Sequence, residues 1–378
     1  MPKTHLLDLG LNALNDFMAE IGEPHYRGRQ IREWMLHHLE TDFRRMSNLP
    51  QKLIENLEEK ATVTVLKERS RQDSVDGTRK WALETADGHV FETVLIPTES
   101  RRSLCVSSQV GCAMGCTFCR TATMGFIRNL TLGEIVEQVH FVNRFLRTSE
   151  NSDGSQGSHS SRISNVIFMG MGEPLHNLEN VALACETLNA ENGFGIGKDR
   201  ITVSTSGIVP KILEWARRAP DFKLAISLNG SNDAMRSSLM PVNRRWNIET
   251  LLSAADEYID ITGQKLTFEY ILIQGRTCTP EAARELRHIA SHRNCKVNLI
   301  PLNKGEDPAL QPPSEEEILA FEAILRQGDF EVLRRRPRGP DIFAACGQLA
   351  VPFQDLKTQK SLQTLSSFSS PPSLKKVA

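Results

Sequence analysis

Between residues 164 and 303 short apolar runs recur, each stopping at polar or glycine-rich residues: SNVIFMGMGEP, RITVSTSG, FKLAISLNG, KLTFEYILI and KVNLIPLN. A helical stretch separates each run from the next. Strand–helix units repeated in this way predict an α/β fold with a parallel sheet, open or curled into a barrel. In such folds chemistry gathers at the carboxyl ends of the strands. The strand-end residues Gly172, Glu173, Ser204, Ser227, Leu228, Asn229 and Asn303 are therefore candidate ligands. Singly, Gly-Glu-Pro reads as a turn and Ser204 as a helix cap. Their common place at strand ends favours a site.

The region before this repeat has a different pattern. LLDLGLNALNDFMAEIG, GEPHYRGRQIREWMLHHL and LPQKLIENLEEKA carry apolar residues at helical spacing, with Gly22 as a stop and Pro50 as a start. The stretch from Ala61 to Pro97 alternates with period two around Asp76-Gly77 and Asp87-Gly88, which predicts a hairpin or small antiparallel sheet. The expected organisation is a helical unit over 1–60, a β extension over 61–97, a large unit over 98–350 and a low-complexity tail over 351–378 without fixed structure. The polar insertion TSENSDGSQGSHSS, 148–161, is expected to be a surface loop.

Hydrophobic residues at 40% and charged residues at 24% suit a globular chain with a core of its own. No run reaches membrane-spanning length, and MPKTHLLDLG lacks a secretory pattern, so a cytoplasmic, reducing location without membrane attachment is expected. Net charge is −1, so any contact with nucleic acid must come from local basic patches.

In a reducing compartment, crowded cysteines point to metal or catalysis rather than to structural disulfides. LCVSSQVGCAMGCTFCRTATMGF holds Cys105, Cys112, Cys116 and Cys119. The last three form C-x3-C-x2-C, with Gly111 and Gly115 beside them. Three thiolates in one tight loop can ligate three irons of a [4Fe–4S] cluster and leave the fourth open. Zinc is the rival reading, but structural zinc sites come as paired knuckles, whereas Cys185, Cys278, Cys295 and Cys346 stand singly. Cys185, Cys278 and Cys295 read as structural, and Trp215 and Tyr270 as packing.

The cysteine loop resembles that of radical S-adenosylmethionine (SAM) enzymes. Together with GMGEPLHN, ITVSTSG, NLIP and DIFAACGQL, it resembles the RNA adenine C2-methyltransferases, the RlmN/Cfr group, from the GEPHYRGRQIREWMLHH helix to about Ala350. The resemblance implies a partial (β/α) barrel with a helical, RNA-binding accessory domain at the amino terminus. It implies a cluster on Cys112, Cys116 and Cys119, and SAM held by Gly172, Glu173, Ser204, Ser227, Leu228, Asn229 and Asn303. It further implies a relay: Cys346 takes a methyl from one SAM, and a radical from a second SAM activates that methyl for addition to adenine C2. Glu92 matches the proton acceptor, and Cys105 the thiol that resolves the adduct by forming a disulfide with Cys346. The implied substrates are ribosomal and transfer RNA, and the implied reductant is a flavodoxin-like electron donor. Two positions depart from the family: Leu302 stands where Trp is usual, and Phe343 replaces an Asp. These touch substrate fit rather than catalytic groups.

Two further readings remain. The same machinery can methylate C8 instead of C2. A non-catalytic iron–sulfur or zinc RNA-binding module is the other, although Glu92, Cys105 and Cys346 would be superfluous to pure binding. For RNA phosphates the candidates are Arg334, Arg335, Arg336 and Arg338, and the Arg27, Arg29, Arg32 and Trp34 face.

Overall fold

The computed structural model describes residues 3–152, 162–303 and 309–350. The expected tail over 351–378 lies outside the described residues, as does most of the serine-rich insertion. The insertion's first residues are not loop: they continue a helix as far as Ser152.

The amino-terminal segment folds as three helices, α1 (Leu11–Glu20), α2 (Tyr26–Leu36) and α3 (Gln51–Lys60). Gly22, at φ +82°, ends the first, a conformation that suits glycine. Leu14 and Met18 of α1, Ile31 and Met35 of α2, and Leu53 and Leu57 of α3 form the buried stripes. A short parallel pair, Thr4–His5 with Ala61–Thr62, ties the start of this segment to its end.

The rest is organised on one ten-stranded sheet. Its strands are β1 (Lys67–Asp73), β2 (Arg79–Glu84), β3 (Val90–Pro97), β4 (Arg102–Cys105) and β5 (Asn165–Phe168). They continue with β6 (Ile201–Thr205), β7 (Lys223–Ser227), β8 (Leu266–Leu272), β9 (Cys295–Pro301) and β10 (Glu331–Arg334). Spatial order follows chain order throughout. Pairs from β1 to β4 are antiparallel, and pairs from β4 to β10 are parallel. The β extension is therefore no separate sheet. It is the antiparallel edge of the parallel one, joined where Pro97 of β3 pairs with Arg102 of β4.

Helices cover the parallel part. The single turn α4 (Arg120–Thr123) and the long α5 (Leu132–Ser152) lie between β4 and β5. α6 (Leu178–Asn189) and α7 (Val209–Arg218) follow β5 and β6. α8 (Asp233–Leu239) and α9 (Ile248–Thr262) follow β7, α10 (Pro280–Ala290) follows β8 and α11 (Glu315–Leu325) follows β9. Starts and stops are set locally: Asn247 and Thr279 cap α9 and α10, and Ser314 with Glu317 forms a capping box on α11.

The two faces of the parallel strands differ. Val203, Leu224, Ile226, Phe268, Tyr270, Val297 and Leu299 are buried in the apolar core. Their alternating neighbours Thr202, Lys223, Thr267, Glu269, Lys296 and Asn298 face a cavity. A parallel sheet covered on both faces would carry near-continuous apolar strands. Alternation in these strands means that one face encloses a polar lumen. That is a partial (β/α) barrel.

Candidate active site

The cysteine loop is pinched at its neck by the antiparallel pairing of Gln109–Gly111 with Phe126–Asn129. Gly111 has φ +73°, and a β-carbon there would collide with the Gly125 carbonyl, so the neck requires glycine. Inside the loop, Cys112 N–H donates to Gly125 O at 2.9 Å and Thr117 N–H to Leu239 O at 3.0 Å. Burial pushes the Cys112 thiol up to about 12, with Cys119 contributing. It also raises Cys116, to which both Cys119 and Cys112 add, so the three sulfurs share one neighbourhood. Among the described residues no three His, Cys, Asp or Glu side chains converge as ligands of a single metal ion.

The strand-end candidates adjoin this loop. Gly172 has φ +105°, and a β-carbon on it would sit 2.6 Å from the Gln109 side chain. Gln109 Oε1 accepts from Glu173 N–H at 2.8 Å, and Glu173 Oε2 accepts from Ser206 N–H at 2.7 Å. The cysteine-loop neck, the end of β5 and the end of β6 are thus laced together. Ser204 and Ser227 have the strand parity of the lumen residues Thr202 and Lys223, and Leu228 is fully buried. Asn229 adopts φ +52° and accepts from Ile271 N–H at 3.0 Å. Asn303 donates to Cys346 O at 3.3 Å.

The segment carrying Cys346 leaves β10, crosses the open side of the barrel and climbs the antiparallel edge. At its lower end Ser74 Oγ donates to Asp341 Oδ1 at 2.6 Å, and Gly339 N–H donates to Asp76 at 3.1 Å. At its upper end Ala350 N–H donates to Glu92 Oε2 at 2.8 Å, and Thr121 Oγ1 to Leu349 O at 2.7 Å. Arg120, next to Cys119, donates its N–H to Gly347 O at 2.8 Å. The strap therefore binds the cysteine loop and Glu92 on either side of Cys346.

Sequence reasoning missed Lys80. It is 7% exposed, and its Nζ lies 3.0 Å from Glu92 Oε1 while donating to Phe343 O at 3.3 Å. The register pairs Lys80 with Val94 and Ala82 with Glu92, so the two charges are diagonal neighbours on one face. Burial raises the Glu92 carboxyl, and Lys80, Ala350 N–H and Arg120 oppose it. The available signal was the β2–β3 hairpin pattern, but only its register brings the pair together.

Cys105 and Cys346 face the same lumen as Asn303, a cavity of about 540 Å³. Both are free thiols, as are all the chain's cysteines, so the implied disulfide is not formed. The sulfurs sense each other: burial pushes Cys105 up to about 12, and Cys346 adds to it. Arg335 enters this lumen too. Its Nη1 lies 3.2 Å from Met169 Sδ, and Cys346, then Glu269 and Cys105, hold its guanidinium charged against burial.

Several expectations change. Arg32 is 6% exposed, inside the helical segment, so it cannot share an outer face with Arg29. Arg27 hydrogen-bonds Gln30 and Asn48, and Trp34 donates to Asn48 Oδ1 at 2.7 Å. Arg334 pairs with Glu315 rather than standing free. Phe343 lies under the Arg120 guanidinium, 5.6 Å from its ring centroid. Leu302 is buried in a small cluster with Leu239 and Met240. Cys185, Trp215 and Tyr270 are fully buried core, as read.

The lumen, the pinched cysteine loop and the sheet order together define a radical SAM barrel. Residues 156–285 match the family model for the radical SAM superfamily, and residues 4–63 that for the ribosomal RNA large subunit methyltransferase N-terminal domain. A crystal structure of a radical SAM methyltransferase from Sphaerobacter thermophilus superposes with TM-score 0.85 at 42% identity, over 92% of this chain and 99% of that one. The dual-specificity RNA methyltransferase RlmN 2 of Myxococcus xanthus is 45% identical over 90% of this chain and 89% of its own length. The RlmN of an Anaeromyxobacter species is 43% identical over 92% and 91%. The chain belongs to the RlmN family, and it is an enzyme, a radical SAM methyltransferase of the kind that works with a [4Fe–4S] cluster and SAM. No helix among the described residues is long and apolar enough to cross a membrane.

Proposed function

We propose that the protein methylates C2 of adenine in large-subunit ribosomal RNA and in transfer RNA, with Cys346 as the carrier of the methyl group. The observation that carries this reading is the strap that holds Cys346 between Glu92 and the cysteine loop, in one lumen with Cys105. C2 lies between two ring nitrogens and is too electron-poor to attack a sulfonium methyl, whereas a cysteine sulfur can.

Cys112, Cys116 and Cys119 would hold the cluster. The donor set fits: three thiols on one glycine-pinched loop, with Cys116 feeling both Cys112 and Cys119 and no second cysteine pair beside them, suit a cluster better than the paired knuckles of a structural zinc site. Gly172, Glu173, Ser204, Ser227, Leu228, Asn229 and Asn303 would hold SAM, two molecules being used per turnover. When bound, cluster and SAM supply the methyl group and the one-electron chemistry that activates it. The chain's own residues do the rest. Cys346 keeps the methyl as a thioether and Glu92 takes the proton from C2. The Cys105 thiolate then attacks the Cys346 sulfur, an S–S bond forming as the bond from sulfur to the transferred carbon breaks, and that carbon takes up a proton to become the methyl group of the product. Glu92 suits proton transfer because burial lifts its affinity for the proton while Lys80 keeps the anion accessible. We assign residues 1–60 to RNA binding and residues 98–350 to catalysis, with the extension over 61–97 linking the two and lending Glu92 and Lys80 to the site. A flavodoxin-like donor and a cytoplasmic setting complete the proposal.

The test is anaerobic reconstitution with iron and sulfide, followed by methylation of RNA hairpins and analysis of the modified nucleoside. Wild type should yield 2-methyladenosine. Cys346→Ala should keep the cluster absorbance but transfer no methyl. Normal transfer by Cys346→Ala would overturn the relay, and 8-methyladenosine would reassign the target carbon.

A further inference from the structure

The lumen has two ends, and only the upper one is accounted for. At the lower end a cation stands at the start of four of the parallel strands: Arg101 before β4, Arg200 before β6, Lys223 opening β7 and Lys296 near the start of β9. The strap adds Arg336 and Arg338 to the same cavity wall. Arg101 and Arg200 are exposed, which marks this end as the mouth, and the exposed Arg336 stands where the strap starts down from β10 toward Asp76. The acidic residues on the wall are Asp199 and Glu269. Lys223 donates to the Asp199 backbone carbonyl, and Arg338 reaches Asp76 at 3.9 Å. Arg101, Arg200, Lys296 and Arg336 make no ion pair within 4 Å among the described residues.

Basic side chains at this end of a barrel also complement the carboxyl termini of the outer helices. That accounts for Arg217 and Arg218 closing α7, which lie outside the barrel. It does not account for Lys223 and Lys296, whose strand parity turns them inward beside Thr202 and Asn298. Arg101, Arg200 and Arg336 have no ion-pair partner among the described residues and Lys296 is offset only by the field of the buried Glu269, so cations gathered around this opening make a site for a polyanion. A cavity of about 540 Å³ with Asn165, Thr202, Thr267 and Asn298 on its wall is of a size and polarity to admit one extruded nucleotide. Arg101 and Cys105 are four residues apart along β4, roughly 13 Å.

We propose that this cationic rim grips the phosphates flanking the target adenosine, so that the nucleotide enters the lumen from the amino-terminal ends of the strands and meets Cys346 from below. The inference rests on the RNA reading above and adds the direction of approach. An acidic electron-donor protein is not the occupant it favours, because the cysteine loop lies at the opposite end.

The test uses full-length protein and a fluorescein-labelled RNA hairpin with an unpaired adenosine in its loop, followed by anisotropy across a salt series. Arg200→Gln combined with Arg336→Gln removes two exposed charges with little risk to folding, and Lys296→Gln probes the inner wall. The double variant should bind at least tenfold more weakly. Its log–log salt slope should become shallower by about one for each phosphate no longer neutralised, and its melting temperature should match wild type. The KM for RNA should rise more than kcat falls. Wild-type affinity and salt slope in both variants would overturn the rim while leaving RNA methylation intact. A wild-type enzyme that methylates no RNA would instead overturn the function proposed above.

Discussion

At the scale of single residues, the Lys80–Glu92 pair is the group whose removal speaks most directly to mechanism. Burial favours the protonated carboxyl, and the ammonium 3.0 Å away opposes it. Lys80→Met removes that opposition, so the affinity of Glu92 for its proton must rise. In its proposed role as proton acceptor Glu92 has to be ionised, and the acidic limb of the methyl-transfer pH profile should therefore move to higher pH. Activity near neutrality should fall by about tenfold or more, and Lys80→Arg should recover part of it. An unmoved limb in Lys80→Met would show that the lysine serves only the strap, through Phe343 O. This pair was invisible in the sequence. Its partners stand twelve positions apart on facing strands, and only the register makes them neighbours. The cysteine spacing, by contrast, was legible because it is local: thiols and glycines lie within one loop, and nothing distant has to be known.

At the scale of elements, α5 is the post to which the amino-terminal segment is fastened. Glu137 accepts from Val65 N–H and Leu66 N–H, each at 3.0 Å, and lies 3.2 Å from His5 Nε2. Burial alone would lower the His5 pKa, but hydrogen bonds to Asp8 and Glu137 outweigh it and raise it to about 9. The unfolded value is 6.5. A folded value above the unfolded one gives stability that is complete below pH 6.5 and lost as pH rises through 9. Wild-type melting temperature should therefore decline between pH 7 and 9.5 more steeply than that of His5→Gln. Parallel curves for the two proteins would refute the link. The helices and the two Asp-Gly turns were readable from periodicity and turn chemistry. β4 and β10 were not, because RSLC runs into the cysteine loop and EVLR into an arginine run, each too short to show a period.

For the whole molecule, the spatial order of strands repeats their order in the chain. The parallel barrel could be inferred because each strand–helix unit carries its own signal. The union of the antiparallel hairpins with it could not, since Pro97 read as a boundary and is a paired residue. Strand-by-strand adjacency also bears on biosynthesis. A chain emerging from the ribosome can add each new strand to an edge already laid down, with no need to insert one between earlier neighbours. The strap is the exception: Phe343 and Ala350, made late, dock on Lys80 and Glu92, made early. Cys346, the proposed carrier, thus meets its partners only when translation of the described fold is complete, so a truncated, partly folded chain would hold the cysteine loop without the strap, and the proposed relay could not misfire.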